Sequence, residues 1–149
     1  MQGLSRARLF FKRGFMNLDV VLARKAANQS QLNISHADAM ALYARAEIAV
    51  VPSLWQEPFG RSAIEALASG CALIAAPVGG LAEVAAGAGE IVDASDVPAL
   101  SAAMRRVATD AALRARLQQA GRAKALAAYD IARVTSVLDA ARARLLAEP

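Results

Sequence analysis

Two glutamates, eight positions apart, have the clearest capacity for chemistry in this sequence of 149 residues. Glu57 lies in a segment punctuated by Pro58 and Gly60, and Glu65 lies about one turn into the helix that the next residues predict. Ionised carboxylates accept hydrogen bonds from paired hydroxyl groups, such as those of a sugar ring or a ribose diol. Two glutamates this close are also common on ordinary surfaces, so their setting in the fold must decide between the two interpretations.

Short apolar runs alternate with segments of helical spacing around these glutamates. The apolar runs predict buried strands of a parallel sheet, and they cover Ile48–Val51, 73–76 and 91–92. The helical segments cover 37–46 and 62–69. Ser35 is a suitable N-cap for the first helix, Pro52 ends the first strand, and Gly70 ends the second helix. This alternation is typical of a parallel sheet with helices on its faces.

The loop that carries Glu57 therefore follows a strand and precedes a helix. In an open parallel sheet, ligands bind outside the carboxyl ends of the strands. Gly60 lets the backbone approach a ligand closely, and the first free amides of the next helix can face a diphosphate. The sequence thus predicts a ligand site at this loop, with both glutamates beside it.

The last third of the chain predicts three consecutive helices, over 96–109, 110–129 and 130–147. Each begins with an acidic residue, which complements the helix dipole, and each carries interspersed arginines. A basic surface for nucleic acid or acidic lipid is the functional alternative. Aromatic interleaving and a dense basic run are both lacking, which favours solvated faces and predicts no nucleic-acid partner.

Composition bounds the class of protein further. The length suits one domain, and a chain rich in Ala, Leu and Val but only 5% aromatic suits helices packed on a sheet. The net charge of +4 favours anionic partners only weakly. Cys71 is the single cysteine, which excludes an intrachain disulfide and a cysteine-cluster metal site and fits a reducing cytoplasm.

Membrane association is weakly indicated. The longest apolar runs, such as 72–78, are far shorter than the roughly 20 residues of a spanning helix. Lys12 and Arg13 interrupt the apolar residues near the N-terminus, so a signal peptide is not predicted and residues 1–18 are expected to be an exposed stretch. Peripheral contact of this segment with the inner face of the membrane is kept as an alternative.

A family resemblance follows from segments that succeed one another along the chain: 46–53, 57–60, 65–70, 72–76 and 79–83. Together they resemble glycosyltransferase family 4, often labelled group 1, whose members are retaining enzymes of the GT-B architecture. The family's hallmark is a glutamate, seven intervening residues and a second glutamate, which Glu57 and Glu65 match. The match is continuous over residues 35–129, which makes it far more specific than a lone short motif.

The resemblance implies an α/β fold: half of a GT-B fold, with a Rossmann-like parallel sheet, flanking helices and a helical C-terminal end. It implies that Glu57 holds hydroxyls of the donor sugar as the catalytic carboxylate and that Glu65 holds the ribose of a nucleotide sugar. The backbone amides of Phe59, Gly60, Arg61 and Ser62 would face the sugar or the diphosphate. No cofactor and no metal are implied beyond the nucleotide-diphosphate sugar, which is the donor substrate. Residues 33–35 fall where the family contacts the base, although the match there is poor.

The departures from the family matter for domain organisation. Residues 32–149 are expected to form the donor domain, incomplete at its N-terminal side, and residues 1–31 are unassigned. The family's acceptor-binding domain, its opening strand and the Arg and Lys that grip the diphosphate are not recognisable. The edge of the strand at Ile48–Val51 is therefore expected to be unpaired, or covered by residues 18–23 or by a second copy of the chain.

Two function classes follow. The first is a glycosyltransferase donor domain that is inactive without an acceptor-binding domain as its partner. The second is a non-catalytic nucleotide-binding or interaction module derived from such a domain.

Four further residues or pairs have ordinary interpretations beside functional ones. His36 is expected to be an exposed turn residue rather than a catalytic one, since no partner motif lies nearby in the sequence. Trp55 could stack on a ligand or lie half-exposed in the loop. Gly79–Gly80 could line the pocket or only turn the chain. Cys71 is expected to be a small buried residue.

Overall fold

The computed structural model describes residues 9–11, 20–24, 27–31 and 35–147. Within them lie six strands: β1 (Leu9–Phe11), β2 (Val20–Arg24), β3 (Ala27–Gln31), β4 (Ile48–Val51), β5 (Ala72–Ala75) and β6 (Gly89–Ile91). The same residues form six helices: α1 (His36–Tyr43), α2 (Arg61–Ala68), α3 (Gly79–Ala85), α4 (Val97–Thr109), α5 (Ala111–Ala128) and α6 (Ile131–Ala147).

The strands form one sheet in the order β3-β2-β1-β4-β5-β6. Strands β1, β4, β5 and β6 run parallel to one another, whereas β2 pairs antiparallel with both β1 and β3. The parallel part brings Ile48 beside Ala72 and Val51 beside Ala75. The predicted α/β class, with a parallel sheet, flanking helices and a helical C-terminal end, is confirmed.

The edge of β4 is paired, which corrects the expectation of an open edge. Leu9–Phe11 lie parallel to Ile48–Val50 and form the strand beside β4. Within residues 1–18, expected to be an ordinary N-terminal stretch, Leu9–Phe11 instead form a strand of the sheet. Residues 20–23 of the predicted covering segment do join the sheet, but one strand further out, in β2.

Strands β4 and β5 are buried on both faces of the sheet. Successive side chains of a strand point to opposite faces, so each strand contributes to two separate apolar clusters. One cluster contains Ala49, Val51, Leu73 and Ala75 with residues of α1, α2 and α3. The other contains Ile48, Val50, Ala72 and Ile74 with residues of α4. Burial on both faces explains why these strands are continuous apolar runs in the sequence.

Side chains cap four of the described helices at their N-termini; at α6 the cap is Asp130, which accepts from the amides of the second and third helical residues. Ser35 accepts a hydrogen bond from the Asp38 amide through its hydroxyl, 3.1 Å away, as the sequence predicts. Asp96 and Asp110 each lie one residue before a helix and accept from the amide three residues on, at 2.9 Å. The acidic starts of α4 and α5 are therefore direct caps as well as charges that favour the helix dipole.

The bounds differ from the predicted ones in ways that have local causes. β5 and β6 begin one or two residues earlier than predicted, and α1 ends at Tyr43 instead of residue 46. Helix α3 was not predicted, because it begins with Gly79 and Gly80, and glycine is a poor helix former. Of the helices in the described ranges, none is both long and apolar enough to cross a membrane.

Candidate functional site

The site is built on the loop of residues 52–60, between the carboxyl end of β4 and the first turn of α2. Gly60 is the N-cap of α2 and has a left-handed backbone, with φ of 75°. A side chain is rarely tolerated in this conformation, and a Cβ atom on Gly60 would also lie only 3.2 Å from Cα of Leu81. The dipole of a helix favours negative charge at its N-terminus, so the start of α2, at Arg61 and Ser62, is suited to an anionic ligand.

Glu57 is almost fully buried, with 8% of its surface exposed. The Ser53 hydroxyl donates a hydrogen bond of 2.7 Å to its Oε2 atom. Because Ser53 lies only two residues after the end of β4, its hydrogen bond holds one oxygen of this carboxylate close to the strand end. The sequence predicts Glu57 in the loop, but no sequence signal indicates that Ser53 holds it.

The backbone of α3 supports the same loop. The Gly80 amide donates a 2.7 Å hydrogen bond to the Glu57 carbonyl oxygen. A Cβ atom on Gly80 would lie 2.7 Å from the Pro58 carbonyl oxygen, a distance that real side chains do not show. The two glycines are thus needed for close packing of α3 against the loop, a role that neither interpretation of the pair from sequence includes.

Glu65 lies on α2 and accepts two hydrogen bonds through the same oxygen, Oε1. Arg61 Nε donates at 2.9 Å from one turn earlier, and His36 Nε2 lies 3.0 Å away at the start of α1. The Glu65 side chain is 19% exposed, whereas those of His36 and Arg61 are 61% and 75% exposed. His36 is exposed as predicted, but it does have a partner, which is 29 positions away in sequence.

Tyr43 lies near both glutamates beneath the site. Its side chain is fully buried, and burial raises the pKa of its hydroxyl, with further increases from the charges of Glu65, Cys71 and Glu57. The charges of both carboxylates therefore act in the same direction on the Tyr43 hydroxyl. Sequence analysis did not identify Tyr43 as a site residue, because its position in the helical pattern indicates a core residue of α1.

Cys71 is buried under Tyr43, as predicted. Its thiol donates to the carbonyl oxygens of Tyr43 and Ala46, at 3.4 Å and 3.5 Å. Burial raises the pKa of the Cys71 thiol to about 12. The thiol is therefore neutral at physiological pH and contributes packing, since the thiolate is the reactive form.

Phe59 projects from the loop and is largely exposed. Its ring meets the edge of Tyr129, which follows the last residue of α5, at a centroid separation of 6.3 Å and an interplanar angle of 84°. Burial raises the pKa of Tyr129, and the charge of Glu83 raises it further. Trp55 lies partly exposed in the loop, so its two interpretations both remain open.

The structure brings together the predicted residues Glu57, Phe59, Gly60, Arg61, Ser62 and Glu65 on the loop and on α2. Residues 33 and 34 of the segment predicted to meet the base lie outside the described residues, and Ser35 is the N-cap of α1. In the described part of the chain, no group of three or more His, Cys, Asp and Glu side chains could hold a metal ion.

A mostly parallel sheet with a strand-loop-helix site at the carboxyl end of β4 defines an α/β protein that binds its ligand at this edge of the sheet. The chain belongs to the family described as glycosyl transferases group 1, whose model matches residues 24–124. The resemblance to a group 1 domain of the GT-B architecture is thereby confirmed.

The chain is similar to glycogen synthase from Mycobacterium tuberculosis, with 37% identity over 100 residues, which cover 66% of this chain and 24% of the relative. Among solved structures, it is similar to sucrose-phosphate synthase from Thermosynechococcus elongatus, with 33% identity, a TM-score of 0.69 and coverage of 78% of this chain and 30% of that one. HepE from Anabaena, solved with UDP-glucose, shares the fold at 22% identity with a TM-score of 0.67, and the match covers 73% of this chain and 30% of that one. The chain therefore spans about a quarter of the length of the curated relative.

Proposed function

We propose that this chain binds the nucleotide-diphosphate sugar donor of a retaining glycosyltransferase, of the family 4 type, and supplies the donor wall of its active site. The observation that carries the proposal is that buried Glu57 lies in the loop before α2 and partly exposed Glu65 lies on α2 itself, so both flank the N-terminus of that helix in sequence. This arrangement lies at the carboxyl end of β4, where open parallel sheets bind their ligands. HepE, which shares the fold, is described with UDP-glucose.

The diphosphate is assigned to the first turn of α2. The backbone amides assigned to it are those of two residues before the helix, Phe59 and Gly60, and of its first two residues, Arg61 and Ser62. The helix dipole favours negative charge there. When the glycosidic bond to the diphosphate breaks, negative charge builds on the leaving group. Oriented amides stabilise that charge without reorganising at the moment of reaction.

Glu65 is assigned to the ribose. His36 and Arg61 both use its Oε1 atom, so Oε2 is the oxygen assigned to the ligand hydroxyls. One carboxylate oxygen has two lone pairs and can accept from both hydroxyls of a ribose diol. The partial exposure of Glu65 fits a group that a ligand reaches from solvent.

Glu57 is assigned to the donor sugar as the catalytic carboxylate. Ser53 holds Oε2, which leaves Oε1 for the sugar hydroxyls. A transition state with positive charge on the sugar ring is stabilised by a carboxylate that lies close to it. The proposal requires no cofactor other than the donor substrate and no metal ion.

Transfer itself is proposed to require an acceptor-binding partner domain. The alternative, a non-catalytic nucleotide-binding module, uses the same donor site and differs only in the absence of turnover. Binding is therefore the first property to test.

Calorimetric titration of the 149-residue chain with UDP, GDP and ADP and their glucose conjugates tests the proposal. We expect one base series to bind and Glu65→Gln to weaken it by about tenfold or more, because a hydrogen bond to a charged group is lost. Asp139→Asn, the same carboxylate-to-amide change on the exposed face of α6, is the matched control and should leave affinity unchanged. Failure of all six ligands to bind, or equal affinities for wild type and Glu65→Gln, would overturn the proposal.

A further inference from the structure

His36 and Glu65 are connected across two helices. Ser35 caps α1, so the position of His36 as the first residue of that helix is defined by the cap. From there Nε2 reaches Oε1 of Glu65 in the middle of α2. The contact joins residues 29 positions apart, so it ties α1 to the helix whose N-terminus is the proposed diphosphate site.

The direction of this hydrogen bond is fixed by its acceptor. An ionised carboxylate can only accept, so Nε2 of His36 carries the hydrogen and donates. The ring is therefore either the neutral Nε2–H tautomer or the imidazolium ion. In both forms the carboxylate oxygen that receives this bond is Oε1.

Arg61 alone is a weak constraint on Glu65. It lies one turn away on the same helix, and its side chain is 75% exposed. Exposed ion pairs of this kind contribute little, since a long side chain loses rotamer freedom when it is held in one geometry. Histidine has two side-chain torsions and comes from a different element, so it fixes the carboxylate along a second direction.

We propose that His36 is a positioning residue for nucleotide recognition: with Arg61 it holds Oε1 of Glu65 so that Oε2 faces the ribose hydroxyls. This inference rests on the proposed function. Its consequence is selectivity for ribose over 2′-deoxyribose, because the deoxy sugar lacks one of the two hydroxyl groups from which Oε2 would accept a hydrogen bond. His36 itself would not contact the nucleotide.

The test compares paired ligands, UDP with 2′-deoxy-UDP and likewise for the guanine and adenine nucleotides, by calorimetry on the 149-residue chain. For the base that binds, we expect wild type to prefer ribose by about tenfold, the effect of one hydrogen bond to a charged group. His36→Ala should reduce that preference several-fold, mainly by weakening the ribonucleotide. His36→Gln retains an N–H donor of similar reach and should restore most of the preference.

The outcomes separate this inference from the proposed function. A wild-type preference that persists in His36→Ala, or an equal loss of both ligands of a pair, would overturn the positioning role while the donor site stands. Loss of preference in Glu65→Gln but not in His36→Ala would do the same. If wild type bound none of the six nucleotides, the proposed function and this inference would both be wrong. Thermal unfolding of each variant shows whether a loss of affinity reflects a loss of fold.

Discussion

Gly79 lies so close to Glu57 that a Cβ atom on Gly79 would stand 2.3 Å from the Glu57 carbonyl oxygen. The loop that carries the candidate catalytic carboxylate therefore rests directly on the backbone at the start of α3. The neighbouring amide of Gly80 donates to the same oxygen. The position of the loop thus depends on the packing of α3 against its backbone.

We expect Gly79→Ala to destabilise the protein more than Gly87→Ala does. Both glycines have positive φ, 51° and 70°, so either substitution costs about 1–2 kcal/mol of backbone strain. Gly87 has no atom within 4 Å of an added Cβ, whereas Gly79 has three backbone atoms of Glu57. Forcing these apart adds about 1–3 kcal/mol. Urea unfolding measures the difference. Equal losses of unfolding free energy in the two variants would show that the loop moves away from the added Cβ atom at little cost.

We expect stability to fall at alkaline pH because of Cys71. Its pKa rises from 9.0 to about 12 on folding. Above pH 9 the unfolded chain releases the thiol proton while the folded chain retains it, so this stability is present below pH 9 and is lost as pH rises towards 12. From about pH 8 to pH 10, wild type should lose roughly 1 kcal/mol more than Cys71→Ala.

Urea unfolding across that pH range gives the two slopes. Comparing slopes removes the constant loss from the cavity that Cys71→Ala creates. Burial and nearby charges also raise the pKa of Tyr43, but its ordinary value is 10.0, so its effect on stability lies mainly above this pH range. Parallel slopes for wild type and Cys71→Ala would contradict the prediction.

The central strands could be predicted because a strand that is buried on both faces consists of consecutive apolar residues. Ile48–Val51 was predicted with its observed bounds, and the caps Ser35, Asp96 and Asp110 locate the starts of their helices. Strands β1 and β3 could not be predicted in the same way. β1 has only three residues next to basic ones, and β3 is polar apart from Ala27, so neither has the apolar alternation that indicates a strand.

In the candidate site, too, some features could be predicted from the sequence and others could not. The loop, Gly60 and the two glutamates follow from local spacing and from the family resemblance. The contacts that orient those glutamates do not, because each joins parts of the chain that meet only in the folded protein. His36 reaches Glu65 from 29 positions away, and α3 meets the Glu57 backbone through two glycines. Such contacts depend on tertiary packing, which periodicity does not encode.

We expect the 149-residue chain to bind donor without multiple-turnover transfer. These residues correspond to 24% of the glycogen synthase relative and 30% of the sucrose-phosphate synthase structure. Effective positioning of two reactants accounts for roughly 7–11 kcal/mol of a barrier, and an acceptor needs a second wall to be positioned. Release of nucleoside diphosphate from UDP-, GDP- and ADP-glucose with oligosaccharide acceptors measures turnover. Sustained release of many equivalents per chain would show that these residues suffice for transfer.

The final prediction separates the two glutamates by the part of the donor that each holds. If Glu65 holds the ribose, Glu65→Gln should weaken the free nucleoside diphosphate and the nucleotide sugar equally. If Glu57 holds the sugar, Glu57→Gln should weaken the nucleotide sugar and leave the free nucleoside diphosphate nearly unchanged. Each loss should be about tenfold or more, because a hydrogen bond to a charged group contributes roughly 1.5–3 kcal/mol.

Calorimetric titration of both variants with both ligands gives four affinities, and circular dichroism checks the fold. Glu57 needs this check more than Glu65, since it is buried and bonded to Ser53. Ser53→Ala serves as its control: it removes the bond to Oε2 but keeps the carboxylate, so it should weaken the nucleotide sugar less than Glu57→Gln does. Equal effects of both glutamate variants on both ligands would refute the division between ribose and sugar. No effect from either would make the two glutamates structural residues without a role in donor binding.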